Sequence, residues 1–184
     1  MLAPANSIDE ETRLATLSGL NILDTPPEER FDRLARLVQR IFEVPIALVT
    51  LVDSNRQWFK SCRGINITET PRSISFCGHA ILGDEVFVIP DAALDPRFAD
   101  NPLVTGAPHI RFYAGQPIKA HNGSCLGTLA IIDIKPRLPS QADLDHLRDL
   151  AALVENEINL LDTVETANYL LRDSEKRLNF ALQM

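Results

Sequence analysis

The C-terminal quarter of the chain contains neither glycine nor proline. All 8 glycines and all 12 prolines of the 184 residues lie before Ser140. Because these two residues interrupt or end helices, their absence predicts one continuous helix from Ser140 onward. Such a helix would be about 65–70 Å long at 1.5 Å per residue, whereas the preceding part would pack into a body about 30–40 Å across. We therefore expect the helix to extend past its own domain and to be covered by a second copy or a downstream domain.

Positive charge, cysteine and long apolar runs are also scarce. The 18 Lys and Arg residues against 25 Asp and Glu give a net charge of -7, which argues against general binding of nucleic acid or of an anionic membrane. No apolar run of about 18 residues and no signal peptide are present, so the sequence predicts a cytoplasmic protein without membrane insertion. Cys62, Cys77 and Cys125 have no C-x-x-C spacing, which indicates reduced thiols and no metal cluster.

Two helices are predicted near the N-terminus. Ser7 and Glu10 have the spacing of a capping box for the first helix. Thr25 is the predicted cap of the second helix, which Pro26 and Pro27 would begin. The second helix also has an apolar stripe at helical spacing, formed by Phe31, Leu34, Ala35, Val38, Ile41 and Phe42. Both helices should pack on a sheet.

Apolar and alternating segments predict five strands, at 46–52, 57–63, 86–89, 110–120 and 125–134. A short helix capped by Ser73 and ended by Gly83 is predicted between the second and third strands. The long segment 90–108 is expected to form a lid over a pocket. Together these elements predict an α+β fold, with a mostly antiparallel sheet of five to six strands, flanking helices and a long C-terminal helix.

Five short blocks of sequence occur together and in a characteristic order. They are Ile-Leu-Asp-Thr-Pro-Pro at 22–27, Arg-Gln-Trp-Phe-Lys-Ser at 56–61, Ser-Phe-Cys-Gly-His-Ala-Ile at 75–81, Asp-Pro-Arg-Phe at 95–98 and Arg-Phe-Tyr-Ala-Gly at 111–115. With these blocks, residues 10–160 resemble the GAF family, which shares its architecture with PAS domains. The blocks are similar to those of GAF domains at the N-terminus of bacterial sensor histidine kinases and of diguanylate cyclases or phosphodiesterases. The resemblance implies a sensor module.

The predicted layout has three parts. They are an N-terminal arm at 1–8, the GAF domain at 9–160 and a coiled-coil-like linker helix at 161–184, in which 173–178 is similar to the helix that opens many PAS domains. Apolar residues from Leu147 to Leu161 follow steps of four and three, and the pattern breaks near Leu161 before it resumes at Val164. We expect the first part of the helix to dock on the body and the later part to pair with a second chain in a homodimer.

Two pairs of residues invite a functional interpretation. Cys77 and His79 suggest a nucleophile with its base or two metal ligands, but on a helix residues two apart point about 160° away from each other. The spacing therefore favours a buried structural thiol at Cys77, and it leaves His79 either capped or lining a pocket. Trp58 and Phe59 point to opposite faces of a strand, so that one belongs to the core and the other can line a pocket.

The candidate ligand-pocket residues are Trp58, Phe76, Cys77, His79, Asp91, Arg111, Tyr113 and Asp133. Arg111 and Tyr113, two residues apart, are expected to lie on the same face of a strand, and Arg111 is a suitable fork for a carboxylate or phosphate. Its alternative is a salt bridge to a loop acid such as Asp91 or Asp95. Asp133 either reaches the pocket mouth or ends its strand.

The resemblance leaves the ligand open. The Asn-Lys-Phe-Asp/Glu signature of cyclic-nucleotide-binding GAF domains is absent, and Gly78 separates Cys77 from His79, which are adjacent in the bilin-binding members. A haem would have only an isolated histidine such as His79 or His109. No catalytic residue or metal site is predicted, and the cofactor is unknown. We expect a regulatory sensor; the alternatives are a thiol redox enzyme of the free methionine sulfoxide reductase type, using Cys77 or Cys125, and a ligand-free dimerisation scaffold.

Overall fold

The domain is built around one antiparallel sheet. The computed structural model describes residues 1–181, apart from the side chains of residues 162, 165 and 179–181. The strands in this part of the chain are β1 (Ile46–Val52), β2 (Arg56–Arg63), β3 (Glu69–Pro71), β4 (Phe87–Ile89), β5 (Phe112–Lys119) and β6 (Cys125–Asp133). They pair in the order β3-β2-β1-β6-β5-β4, and every pair is antiparallel. The predicted fold class is confirmed.

Helices cover both faces of this sheet. They are α1 (Glu10–Gly19), α2 (Glu29–Ile41), α3 (Phe76–Ala80), α4 (Pro102–Thr105) and α5 (Gln141–Ala181). Apolar side chains of α1, α2 and α5 form one core with one face of the sheet, and those of α3 and α4 form a second core with the other face. β1 is buried over its whole length because it lies between the two cores, as its continuous apolar run predicts.

The second helix starts later than predicted. α2 begins at Glu29 rather than at Pro26, and the Thr25 hydroxyl donates to a preceding backbone carbonyl (2.6 Å) instead of capping a helix. The buried ammonium of Lys60 donates to Thr25 Oγ1 (2.8 Å) and to the Pro26 carbonyl (3.0 Å), and it pairs with the Glu28 carboxylate (2.6 Å). These long-range contacts hold 25–28 in a non-helical turn that cannot be recognised from the local sequence.

The short helix α3 is capped by a different serine from the one predicted. Residues 72–74 form a turn of 3-10 helix, and Ser75 Oγ accepts a hydrogen bond from the Gly78 N–H (2.8 Å) at the start of α3. Ser73 is exposed. The two serines are equally suitable caps by residue type, so the choice is made by tertiary contacts of Ser75, which is buried against Gln57.

The capping boxes at the two ends of the domain differ in outcome. Glu10 accepts hydrogen bonds from the Ser7 N–H (3.2 Å) and hydroxyl (3.0 Å), but α1 begins at Glu10 itself, so Ser7 lies outside the helix and is not its N-cap. The Ser140 N–H donates to Asp143 (2.8 Å), and the Asp143 N–H donates to Ser140 Oγ (3.2 Å). This second, reciprocal pair caps α5 as predicted.

Two short elements are not predicted from the sequence. β3 has three residues and lies at the edge of the sheet, where its proline is tolerated because an edge N–H needs no partner. α4 interrupts the predicted lid segment 90–108 and is capped by Asn101, whose side chain accepts from the Leu103 N–H (2.9 Å). The five predicted strands agree with β1, β2, β4, β5 and β6 to within two residues at each end.

α5 docks on the sheet with its first part and then leaves the body. Its buried side chains are Leu147, Leu150, Ala151, Val154 and Ile158. Leu161 still packs partly against the core, whereas Leu160 is 55% exposed and Val164, Tyr169, Leu170, Leu171 and Leu178 are also exposed. The helix is continuous, as predicted, through the position near Leu161 where the apolar pattern breaks. The last three residues of the predicted linker, 182–184, lie outside the described residues. Within residues 1–181, no helix is long and apolar enough to cross a membrane.

Candidate ligand cavity

A small cavity lies between the sheet and the α3 side of the domain. Its volume is about 30 Å³, which is room for about two or three water-sized groups. Three of the predicted pocket residues, Phe76, Cys77 and Tyr113, line it. The other lining residues are Ile46, Leu48, Gln57, Phe59, Ile65, Ile67, Thr70, Ser75, Leu103, Pro108, Ile110 and Ile132.

Strands form the floor of the cavity and loops form its roof. Successive side chains of a strand alternate between faces, so Leu48 on β1, Phe59 on β2 and Ile132 on β6 all reach the same side of the sheet. The roof is formed by the β2–β3 loop and by the segment between β4 and β5. Two members of the predicted lid, Leu103 and Pro108, belong to this roof.

Cys77 and Tyr113 form an uncharged pair in the cavity wall. The Tyr113 hydroxyl donates to Cys77 Sγ (3.2 Å). Burial raises the pKa of the Cys77 thiol, and burial, followed by the neighbouring Cys77, raises the pKa of Tyr113 well above its usual value. Both groups therefore remain protonated at neutral pH. Cys77 is 1% exposed, in agreement with the buried thiol predicted from its position on the helix.

One end of the cavity is polar. Gln57 and Thr70 lie opposite each other on β2 and β3, and the Ser75 hydroxyl donates to Gln57 Oε1 in a short hydrogen bond. Thr70 is 8% exposed, and its Oγ1 is buried without a hydrogen-bond partner in the described part of the chain. An unsatisfied buried hydroxyl costs about 1–3 kcal/mol, so this atom marks a position where a bound molecule would gain a hydrogen bond.

Comparison with known proteins identifies the family. The model of the GAF domain matches residues 26–158. The chain belongs to the GAF domain family. A cyclic di-GMP phosphodiesterase from Pseudomonas aeruginosa is 42% identical to this GAF protein over 171 residues, which cover 92% of this chain and 29% of the relative. The chain therefore spans less than a third of the length of that relative.

Solved GAF structures share the fold at low sequence identity. The GAF domain of an Acinetobacter phosphoenolpyruvate-protein phosphotransferase superposes with a TM-score of 0.61 at 18% identity, covering 84% of this chain and 98% of that one. A free methionine-R-sulfoxide reductase from Neisseria meningitidis, solved in complex with its substrate, gives a TM-score of 0.58 at 19% identity, covering 86% and 98%. At these identities the likeness shows the fold alone.

Trp58, a predicted pocket residue, lies on the other side of the GAF sheet. Its indole packs in the core that the sheet forms with α1, α2 and α5, and the neighbouring Phe59 lines the cavity instead. The two aromatic residues do point to opposite faces, as predicted, but the assignment to pocket and core is reversed. The ring centroids of Trp58 and Phe31 lie 5.9 and 5.4 Å from Nζ of Lys60, within the range of cation–π attraction.

His79 is capped by the N-terminal arm of the GAF domain and does not line the cavity. Its Nε2 donates to the Leu2 carbonyl (3.0 Å), and the Leu2 N–H donates to the Arg97 carbonyl (3.0 Å). Burial lowers the pKa of His79. Of the two roles left open by the sequence, the structure places His79 in the capped one, with its ring 5.0 Å from that of Phe98.

The charged candidates also lie outside the cavity. Arg111 donates to three backbone carbonyls of the preceding segment (2.9, 3.1 and 3.4 Å) and has no ion pair with Asp91 or Asp95 within residues 1–181. β5 begins one residue after Arg111, so Arg111 and Tyr113 do not share a strand face. Asp91 accepts a backbone N–H two residues on (3.0 Å). Asp133 points to the face of the sheet that α1, α2 and α5 cover, where Arg137 Nε donates to it (2.6 Å).

The polar end of the cavity was absent from the sequence prediction. Gln57 carries a usable signal, because strand alternation places it on the same face as Phe59. Thr70 has no recognisable signal in the sequence, because β3 is too short to predict. Ser75 could not be distinguished as the cap of α3, because Ser73 is an equally suitable residue nearby. Within the described residues, no three His, Cys, Asp or Glu side chains are grouped so that they would hold a metal ion.

Proposed function

We propose that this GAF domain is the regulatory sensor module of a bacterial signal-transduction protein. The module would bind a small molecule in the cavity and transmit the event through α5 to a downstream domain. The observation that carries the proposal is the position of the cavity and α5 on opposite faces of the same sheet. A ligand that moves one face therefore acts on the other through a single layer of backbone.

The central strands provide the path for this coupling. Tyr113 lines the cavity, and its neighbours on β5, Phe112 and Ala114, point the other way into the core that includes α5. Protein interiors are close-packed and transmit displacements rather than absorbing them. A shift of Tyr113 would accordingly alter the surface on which α5 rests.

Polar contacts hold α5 at the point where it leaves the body. The Lys119 N–H donates to the Glu155 carboxylate (2.8 Å), and Asn159 Nδ2 donates to the Lys119 carbonyl (3.4 Å). Glu157 lies 3.5 Å from the Arg30 guanidinium of α2. Such contacts are directional and can re-form in a shifted register, which favours this segment as the place where the helix moves.

We further propose that α5 pairs with a second copy of the chain. Five apolar residues of α5 are 45–61% exposed and follow one another at steps of 7, 4, 7 and 7 residues. They are Leu153, Leu160, Val164, Leu171 and Leu178. This spacing is the heptad pattern of a coiled coil. This exposed stripe is distinct from the docked residues Leu147, Leu150, Ala151, Val154 and Ile158. Its heptad phase stays the same through the position near Leu161 where the docked pattern breaks.

The downstream activity is inferred from the relative. The matching Pseudomonas protein is named as a cyclic di-GMP phosphodiesterase, and the long helix is suited to connect the GAF domain to an enzymatic output domain. We propose an output that makes or degrades cyclic di-GMP, with a histidine kinase as the alternative, in a cytoplasmic protein. Residues 173–178, which are similar to a PAS entry helix, continue α5 in this chain.

Sedimentation analysis of two matched variants tests the dimer. Leu171→Asp places a charge in the exposed stripe and should convert a dimer into a monomer, because a buried unpaired carboxylate is strongly disfavoured. Thr166→Asp adds the same charge five residues earlier, outside the stripe, and should leave the dimer intact. A wild-type chain that sediments as a monomer at high concentration would refute the coiled-coil part of the proposal.

The small cavity favours a second candidate, the ligand-free dimerisation scaffold, because about 30 Å³ is far below the volume of a typical ligand pocket. The thiol redox enzyme has less support. Burial raises the pKa of Cys62, Cys77 and Cys125, whereas a nucleophilic thiol needs a lowered pKa. Saturable binding of a small molecule in the cavity separates the sensor from the scaffold.

A further inference from the structure

We infer that the ligand of the cavity is an uncharged, mainly apolar molecule that hydrogen-bonds to the Thr70 hydroxyl through one polar atom. The inference rests on the proposed sensor function and adds the chemical class of the ligand. It follows from three properties of the cavity: the charge of its wall, its single unsatisfied polar atom and its size.

The wall of the cavity has no charged side chain. Among its fifteen lining residues none is Asp, Glu, His, Lys or Arg. A carboxylate, phosphate or ammonium group in this position would lose its hydration without gaining a counter-ion, which is strongly unfavourable. Arg111, the nearest candidate in the sequence for binding an anion, is occupied by backbone carbonyls outside the cavity. The wall therefore selects against ions.

Thr70 provides the polar anchor. The other two polar residues at this end, Gln57 and Ser75, are joined by a hydrogen bond, and Ser75 also caps α3. The Cys77 and Tyr113 pair is likewise satisfied internally. Thr70 Oγ1 alone is both buried and without a partner among the polar side-chain atoms of the lining. A hydroxyl both donates and accepts, so it accommodates an alcohol, a carbonyl or an amide group.

The volume limits the ligand to a few heavy atoms unless the roof moves. About 30 Å³ holds about two or three water-sized groups. The roof residues Ile65 and Ile67 belong to the β2–β3 loop, and Ile67 is 40% exposed. Outward movement of this loop would enlarge the cavity without disturbing the sheet, and the space gained would be lined by isoleucine.

The test compares three two-carbon probes of different charge: ethanol, acetate and ethylammonium. Each is titrated into the full chain while the methyl signals of Ile65, Ile110 and Ile132 are followed by NMR. We expect saturable shifts with ethanol and none with either ion. Thr70→Val should weaken ethanol binding by about tenfold, and Thr70→Ser should retain it. Thr68→Val, at an exposed position in the β2–β3 loop, is the matched control and should bind as wild type does.

A stability measurement makes the variant informative in its own right. Thr70→Val removes an unsatisfied buried hydroxyl at nearly constant shape, so the unliganded variant should have a Tm about 2–4 °C above wild type. The inference is overturned if acetate or ethylammonium binds at least as tightly as ethanol, or if Thr70→Val binds ethanol as well as wild type does. Either result still leaves a sensor with a different ligand. Absence of saturable binding by all three probes overturns the inference and the ligand-binding part of the proposed function together, whereas the dimer is judged by sedimentation.

Discussion

A buried charge cluster under α1 gives the sharpest stability prediction. The carboxylate of Glu10 accepts hydrogen bonds from Arg13 Nε (3.0 Å) and Nη2 (2.8 Å) and a short one from Arg72 Nη1. The side chains of Arg13, Arg72 and Glu10 are only 2%, 6% and 15% exposed. Arg13 also donates to the Val52 carbonyl (2.6 Å), so the cluster ties α1 to the end of β1. Glu10→Gln leaves two buried guanidinium groups without a counter-ion.

The expected cost is about 3 kcal/mol, because removal of one partner from a buried ion pair typically costs 3–5 kcal/mol and glutamine retains one acceptor oxygen. With an m-value of about 2 kcal/mol/M, the urea midpoint should fall by about 1.5 M at pH 7. Circular dichroism in urea measures this change, and Glu11→Gln on the exposed side of α1 is the control. Equal midpoints for the two variants would refute the assignment of the cluster as a stabilising element.

The same cluster has a defined pH dependence. Hydrogen bonds from Arg13, and then from Arg72, hold the pKa of Glu10 far below its usual value of 4.5. A depressed pKa stabilises the fold above the unfolded-state pKa, and this contribution is lost as the pH falls below it. The difference between wild type and Glu10→Gln should therefore be constant near neutrality and shrink below about pH 4.5.

Two further predictions concern the sheet and the buried thiol. Gly127→Ala should prevent folding or lower the free energy of unfolding by more than about 3 kcal/mol, because its Cβ would lie 1.8 Å from the Thr50 carbonyl oxygen. Thermal unfolding measures the change, and Gly83→Ala, whose Cβ would have no atom within 4 Å, is the neutral control. Cys77 should react with a thiol reagent at pH 8 only as fast as the domain unfolds, because it is buried and burial raises its pKa; prompt modification of Cys77 in the native protein would contradict this.

The fold could be predicted largely because its elements carry local signals. β1 is a continuous apolar run, the Ser140 and Asp143 pair caps α5, and the Gly- and Pro-free tail forms one helix over Gln141–Ala181. Where the prediction failed, the determining contact is distant in sequence. Lys60 delays the start of α2, and no local signal shows this.

The candidate site was predicted less completely, for a related reason. Helical spacing is sufficient to bury Cys77 and to separate it from His79. The alternation of side chains shows that β2 has two faces but not which face carries the cavity. The sequence therefore favours Trp58 as the pocket residue, whereas Phe59 lines the cavity. Thr70 belongs to a three-residue edge strand whose existence depends on pairing with β2, and its unsatisfied hydroxyl can be recognised only once that pairing is known.

The uninterrupted course of α5 sets an angular relation between the sheet and whatever follows the helix. Successive residues of an α-helix are about 100° apart, and the helix has no glycine or proline at which this angle is reset. Each residue between Ile158, which is docked on the sheet, and the end of the helix therefore adds about 100° to the rotational phase of the helix end relative to the sheet. Seven added residues shift this phase by only about 20°, whereas four shift it by about 40°. Under the transmission that we propose for α5, the number of residues in the helix therefore sets the rotational position of a downstream domain relative to the sheet.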